Sequence, residues 1–367
     1  MANRIGSNQV FIGTDDRGSG RLYRWVETGI LLAADEIPPR RPDAGRMLTP
    51  PLPRTPYDRL ARTATNRWWK TLLGFVLVPV AYALIVLFGA LAVVVPFALA
   101  GREDPPDVGP LAEFALLLGS IVLLLPLVLL AAWWTQGRRP GTLSSVRGRM
   151  RWRWLLGCAL LAVPATLLSL GLALGLSALS GVEGAEEYRW VGWATFGPAL
   201  LVVLALVPLQ AAAEEYLCRG WLLQSVGAFV QWRWVAVGVQ TLVFALLHGV
   251  GTPWGFADLV VFGVVTGWLA IRTGGLEAGI ALHVVNNLLA FTLTVSAVGG
   301  LAADETAADS GWELAVADIV VVIGFGLLVR WLATRFRVET VARGEVELAT
   351  PVAVSGHPRG VGPGAAA

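Results

Sequence analysis

Charged residues are scarce in this chain. Asp, Glu, Lys and Arg make up 15% of its 367 residues, against about 25% in an ordinary soluble domain. The charge is missing from long apolar runs, and the mean hydropathy of +0.64 points to lipid as the solvent for much of the chain. Lysine is nearly absent: Lys70 stands alone, and the basic character comes from Arg. Cysteine is limited to Cys158 and Cys218, with no CxxC pair and no Cys/His cluster, which excludes a disulfide framework and a zinc finger. There is no GxxxxGK[ST] loop and no GxGxxG after a strand. Nucleic-acid binding finds no support beyond a basic arm whose simpler roles are orientation and contact with anionic lipid. A cleavable signal peptide is not expected, because the best apolar stretch in the first 70 residues, Thr28 to Ala34, is too short.

What is present is a series of apolar segments. Residues 1–70 read as a cytosolic, largely disordered arm, rich in Arg and broken by Pro38, Pro39, Pro42, Pro50, Pro51, Pro53 and Pro56. Trp68, Trp69 and Lys70 then form an aromatic and basic interface anchor. Eight segments follow, near 72–99, 111–134, 154–180, 196–217, 234–249, 256–272, 276–298 and 313–333. A span needs about 20 residues, so the fifth is short, and seven or nine spans are alternatives to eight. The reading divides the chain into N-terminal transmembrane helices over 71–190, a core over 191–298, a last transmembrane helix within 299–340 and a disordered tail over 341–367. The fold class expected is all-α, a polytopic transmembrane helical bundle with its active site among the helices of the C-terminal half.

Loop charge alternates. Glu103, Asp104 and Asp107 are followed by Arg138, Arg139, Arg147, Arg149, Arg151 and Arg153. Then come Glu183, Glu186 and Glu187, next Arg219 with Arg233, then Asp304, Glu305 and Asp309, and last Arg330, Arg335 and Arg337. Cytoplasmic loops collect Arg and Lys, so both termini are expected in the cytoplasm and an even number of spans in the membrane. The abundance of Arg, Ala and Gly points to a bacterial cytoplasmic membrane.

Ionisable residues within spans are read as clustering between 214 and 287, and intramembrane charge is costly enough to imply a role. Glu214 and Glu215 are adjacent and point about 100° apart. Glu215 and Arg219, four residues apart in the favourable acid-before-base order, can neutralise each other and brace the helix. Glu214 is left free to act as a base; the bland alternative is that both acids mark a helix end. His248 closes an apolar segment after Phe244, where a lone His is usually an interfacial residue. His283 and Asn287 share one helix face, through function or as interhelical glue. Asn286 points elsewhere, and His357 lies in the tail. If the fourth span starts near Phe196, Glu214 lies about 27 Å along it, toward the cytoplasmic side.

At these residues the chain resembles the CPBP family, which groups CAAX-processing endopeptidases with bacteriocin-processing and immunity-type membrane proteins. The family pattern EExxxR, FxxxH and HxxxN is met by Glu214, Glu215 and Arg219, by Phe244 and His248, and by His283 and Asn287. The resemblance covers roughly residues 195–295. It implies an intramembrane endopeptidase in which Glu214 activates water with His248 as partner. His283 and Asn287 would stabilise the oxyanion, and Glu215 with Arg219 would brace the first helix. Cys218 sits at a variable position and is not read as a nucleophile. The family's metalloprotease label implies zinc on Glu214, His248 and His283, whereas a metal-free, glutamate-dependent mechanism needs the same residues and no cofactor. The partners implied are membrane lipid and a peptide or protein substrate at the membrane. Two other classes compete: a non-catalytic peptide-binding or bacteriocin-immunity-type protein of the same fold, and a proton-coupled transporter, which would show inverted repeats.

Overall fold

The computed structural model describes residues 10–14, 20–25 and 31–33 as backbone, and residues 49, 51–102, 107–181 and 188–343 in full. The chain divides into two units, Met1–Met47 and Leu48–Ala367. The first holds a three-stranded antiparallel sheet in the order β1-β2-β3, formed by Val10–Thr14, Gly20–Trp25 and Leu31–Ala33. Val10 pairs with Arg24 and Tyr23 with Ala33.

The second unit is a helical bundle: α1 Trp68–Leu99, α2 Pro110–Val122, α3 Leu124–Trp134, α4 Trp152–Ser180, α5 Trp193–Glu215, α6 Leu223–Gly227, α7 Arg233–Leu247, α8 Pro253–Thr273, α9 Glu277–Ser296 and α10 Trp312–Arg335. Among the described residues, seven helices are long and apolar enough to cross a membrane: α1, α2 with α3, α4, α5 through α6, α8, α9 and α10. α7 is apolar but has 15 residues, about 22 Å, so the fifth expected segment is a short helix packed on α8. Leu84, Leu116, Leu160, Leu201 and Leu327 are exposed on outer faces, a pattern suited to lipid because the backbone polar groups are satisfied within each helix. α4 packs on α9 and α10, α5 on α9, and α8 on α10 and α7.

Three sequence expectations change. The fourth span does not end near residue 217. It runs unbroken from Trp193 to Gly227, through a π-helical turn over Tyr216–Leu222. Glu214 therefore lies 13 residues, roughly 20 Å, before the end of that helix at Gly227. Arg219 is not a loop residue but is fully buried inside that helix, so it drops out of the loop-charge alternation. Charge within the spans is also not confined to 214–287: Asp318 of α10 is buried and accepts from Ser169 Oγ of α4 at 2.9 Å. Glu103, Asp104, Glu183, Glu186, Glu187 and His357 lie outside the described residues.

Part of the stretch read as a disordered arm has defined positions. Tyr57, Asp58, Leu60 and Ala61 are buried. Gly227 makes this packing possible, since a Cβ there would lie 2.1 Å from the carbonyl oxygen of Asp58. Asp58 sits 3.5 Å from Arg233 and 3.8 Å from Arg59, and burial pushes its carboxyl above the usual carboxylate range. The arginine-rich connection between α3 and α4 is likewise more interior than its charge implied. Arg138 is fully buried, and Arg151 pairs with buried Glu277 at 2.6 Å.

Candidate active site

Three helices bring the polar residues together. Glu214 and Glu215 end the regular part of α5, His248 follows α7 directly, and His283 and Asn287 lie one turn apart on α9. Phe244 supports the group: its ring lies 4.7 Å from that of His248 and 5.9 Å from that of His283.

Glu215, Arg219 and His283 form a buried chain. Arg219 Nη1 donates to Glu215 Oε1 at 2.9 Å, and His283 Nδ1 lies 3.1 Å from the same oxygen. An ionised carboxylate only accepts, so this contact assigns the proton to Nδ1 and turns Nε2 the other way. The Arg219 guanidinium lies 4.1 Å above the ring of Phe244 and 5.5 Å from that of Phe262, so its remaining N–H groups face aromatic rings rather than oxygen. Gly279 leaves room for the pair, because a Cβ there would sit 2.5 Å from Glu215 Oε2.

Glu214 faces the opposite way. Its Oε2 lies 3.6 Å from His283 Nε2 and 3.9 Å from His248 Nε2, and this buried oxygen accepts no hydrogen bond from the described residues. His248 Nδ1 is 2.9 Å from the carbonyl oxygen of Phe244, which again assigns the ring proton to Nδ1. Both imidazoles thus turn an Nε2 toward one carboxylate oxygen, at distances too long for direct hydrogen bonds. Three acceptors around one point suit a donor with two hydrogens, and water is the simplest such donor.

Gln210 was not read from the sequence. It is buried, donates a hydrogen bond to Glu214 Oε1, and accepts one from Asn287 Nδ2 at 3.3 Å. It lies one turn before Glu214, and a lone amide at that spacing in an apolar span is a signal of its own. Asn286 makes none of these contacts. Cys218 is buried and free and takes no part in the cluster.

Zinc can be tested on the spacing. Two ligands of a tetrahedral zinc lie about 3.3 Å apart, given bonds of about 2.0–2.1 Å. The gaps at Glu214 are wider, and among the described residues no three His, Cys, Asp or Glu side chains are arranged to hold an ion. As placed, the donors suit zinc in type but not in arrangement.

Residues 196–289 match the family model described as "Type II CAAX prenyl endopeptidase Rce1-like". The resemblance read from the three motifs is borne out over that segment, which holds every residue of the cluster. An uncharacterised protein of Bacillus subtilis (strain 168), YyaK, is 32% identical over 95 residues, covering 24% of this chain and 32% of that protein. The chain thus matches about a third of that relative's length. No solved structure matches.

Proposed function

We propose that the chain is an intramembrane endopeptidase that hydrolyses a peptide bond of a membrane-associated protein or peptide. The observation that carries this reading is the convergence on Glu214 Oε2 of two Nε2 atoms whose rings are held by hydrogen bonds on the other side. The match to an endopeptidase family model over the same segment supports it.

In this mechanism a water sits between Glu214 Oε2 and His248 Nε2. Glu214 removes one of its protons as the oxygen attacks the substrate carbonyl carbon. The carbonyl oxygen becomes an oxyanion. Asn287 offers the second hydrogen of Nδ2, the first being held by Gln210. His283 lies on the same side with its ring held through Nδ1 by Glu215, so that a proton taken up at Nε2 from solvent makes it a second donor to that oxygen. The C–N bond then breaks, and the proton held by Glu214 passes to the departing amine, leaving an amine and a carboxylic acid that ionises by losing its proton to solvent. A dry, helix-lined site strengthens each of these interactions. The test is cleavage of membrane-proximal peptides by purified protein: Glu214→Gln and His248→Ala each abolish it if the assignment is right, and unchanged cleavage refutes it.

A further inference from the structure

A second polar site lies away from this cluster. A cavity of about 400 Å³ opens between the α3–α4 connection and the segment after α10, and its lining includes Arg139, Arg147, Arg149, Arg343 and Glu339. Leaving Arg139 aside, three arginines among the described lining residues face one carboxylate, a formal charge of 3 − 1 = +2. The carboxylate is already shared: Glu339 accepts from Arg147 Nε at 2.6 Å and from Arg343. Behind the wall, Arg138 adds a further positive charge. It is fully buried, and its hydrogen bonds go to neutral groups: Gln136 Oε1 at 2.7 Å, Thr142 Oγ1 at 2.8 Å and Gln224 Oε1 at 2.6 Å. Thr142 is itself part of the lining, and Arg138 Nη2 has no hydrogen-bond partner among the described residues. Burial pulls this guanidinium down to about 9, which leaves it charged at neutral pH.

The walls are tied in place. Val146 N donates to Gly274 O at 2.9 Å, Arg54 N to Ala342 O at 2.8 Å, and Arg151 Nη1 to Glu339 O at 2.9 Å. A preformed recess with excess positive charge concentrates anions, and arginine forks match the oxygens of phosphate. The depth of the cavity indicates the source of that phosphate. Exposed Trp133 and Trp134 end α3, exposed Trp152 begins α4, and exposed Trp331 lies near the end of α10. Such rings mark the level of lipid headgroups, and the cavity lies between those same helix ends.

We propose that this arginine-lined cavity is a binding site for a phosphate group, specifically the headgroup phosphate of an anionic phospholipid. The site is independent of the protease reading. Purified full-length protein in neutral detergent is mixed with short-chain phosphatidic acid, phosphatidylglycerol or phosphatidylcholine, or with inorganic phosphate, and bound ligand is counted by native mass spectrometry. The expected result is preferential retention of the two anionic lipids. Their affinity falls on the order of twenty-fold in Arg149→Gln/Arg343→Gln, since each arginine near a lipid surface contributes about five-fold (about 1 kcal/mol). The surface control Arg272→Gln/Arg335→Gln keeps the affinity. If the double variant does not fold, Arg149→Gln alone, at an exposed side chain, lowers affinity about five-fold. Equal loss in the control pair, or no preference over phosphatidylcholine, overturns the site. Retention of inorganic phosphate without retention of lipid overturns the lipid source.

Discussion

His283 and Glu215 are joined by a buried contact of 3.1 Å from Nδ1 to Oε1, and that same carboxylate oxygen accepts from Arg219 at 2.9 Å. One carboxylate therefore holds both the helix brace and the imidazole. Its neighbour Glu214 makes none of these bonds and instead faces two Nε2 atoms. The adjacent acids have separate work, and their substitutions separate accordingly.

Glu215→Gln is a stability variant. It removes the counter-charge of a fully buried guanidinium, and breaking such a pair costs about 3–5 kcal/mol. The expected outcome is a lowered thermal midpoint in detergent and poor recovery of folded protein. Glu214→Gln keeps the hydrogen bond with Gln210 and is expected to melt near wild type. Differential scanning fluorimetry of the two variants side by side distinguishes them, and equal destabilisation counts against the division.

Gln210→Leu tests positioning. The amide spans Glu214 and Asn287, and losing a buried partner costs about 1–3 kcal/mol. If that cost falls on the transition state, kcat drops roughly 5- to 150-fold with KM little changed. A change confined to KM would assign Gln210 to substrate binding instead.

Gly279→Ala places a methyl 2.5 Å from Glu215 Oε2. Alanine favours a helix by about 1 kcal/mol over glycine, but overpacking costs typically 1–3 kcal/mol. The clash should win, with a lower midpoint and reduced cleavage. Gly157→Ala, with nothing within 4 Å of the added Cβ, is the matched control and should not destabilise. Thermal melts of both variants decide the sign.

Glu339 carries a pH signature. The hydrogen bond from Arg147 is the main cause that holds its carboxyl below the usual range, with Arg343 adding to it. A depressed folded value stabilises above the unfolded value near 4.5, and the effect fades as pH falls through the folded value. The pair with Arg147 is partly exposed, so the contribution is below about 1 kcal/mol. Glu339→Gln should lower the melting midpoint slightly at pH 7, and the difference should close in acid.

Much of the bundle was legible because apolar runs of span length admit few other folds, and the motif spacing placed Glu215 with Arg219 and His283 with Asn287 on shared faces. The misses have physical causes. The Cys218-Arg219-Gly220 stretch reads as a helix end, since arginine and glycine usually mark one, yet Glu215 and two aromatic rings neutralise Arg219 inside a continuing helix. Arg138 and Arg151 read as solvent-facing loop charge because their partners, Gln224 and Glu277, are distant in sequence. Asp318 is a lone acid with no motif around it in the sequence, and its contact with Ser169 spans 149 residues. Tyr57 and Leu60 were hidden by the prolines around them. Only Gln210 was within reach of a closer reading, being one turn from Glu214.

The most direct measurement is single-turnover cleavage of membrane-proximal peptides by the full-length protein in lipid nanodiscs, wild type against Glu214→Gln, with folding checked by the melting midpoint. Cleavage by wild type and its loss by about a hundred- to ten-thousand-fold, on the order of what removing a general base costs, at an unchanged midpoint, is the result predicted here. Equal cleavage by a folded Glu214→Gln variant would contradict the assignment of Glu214 as the base.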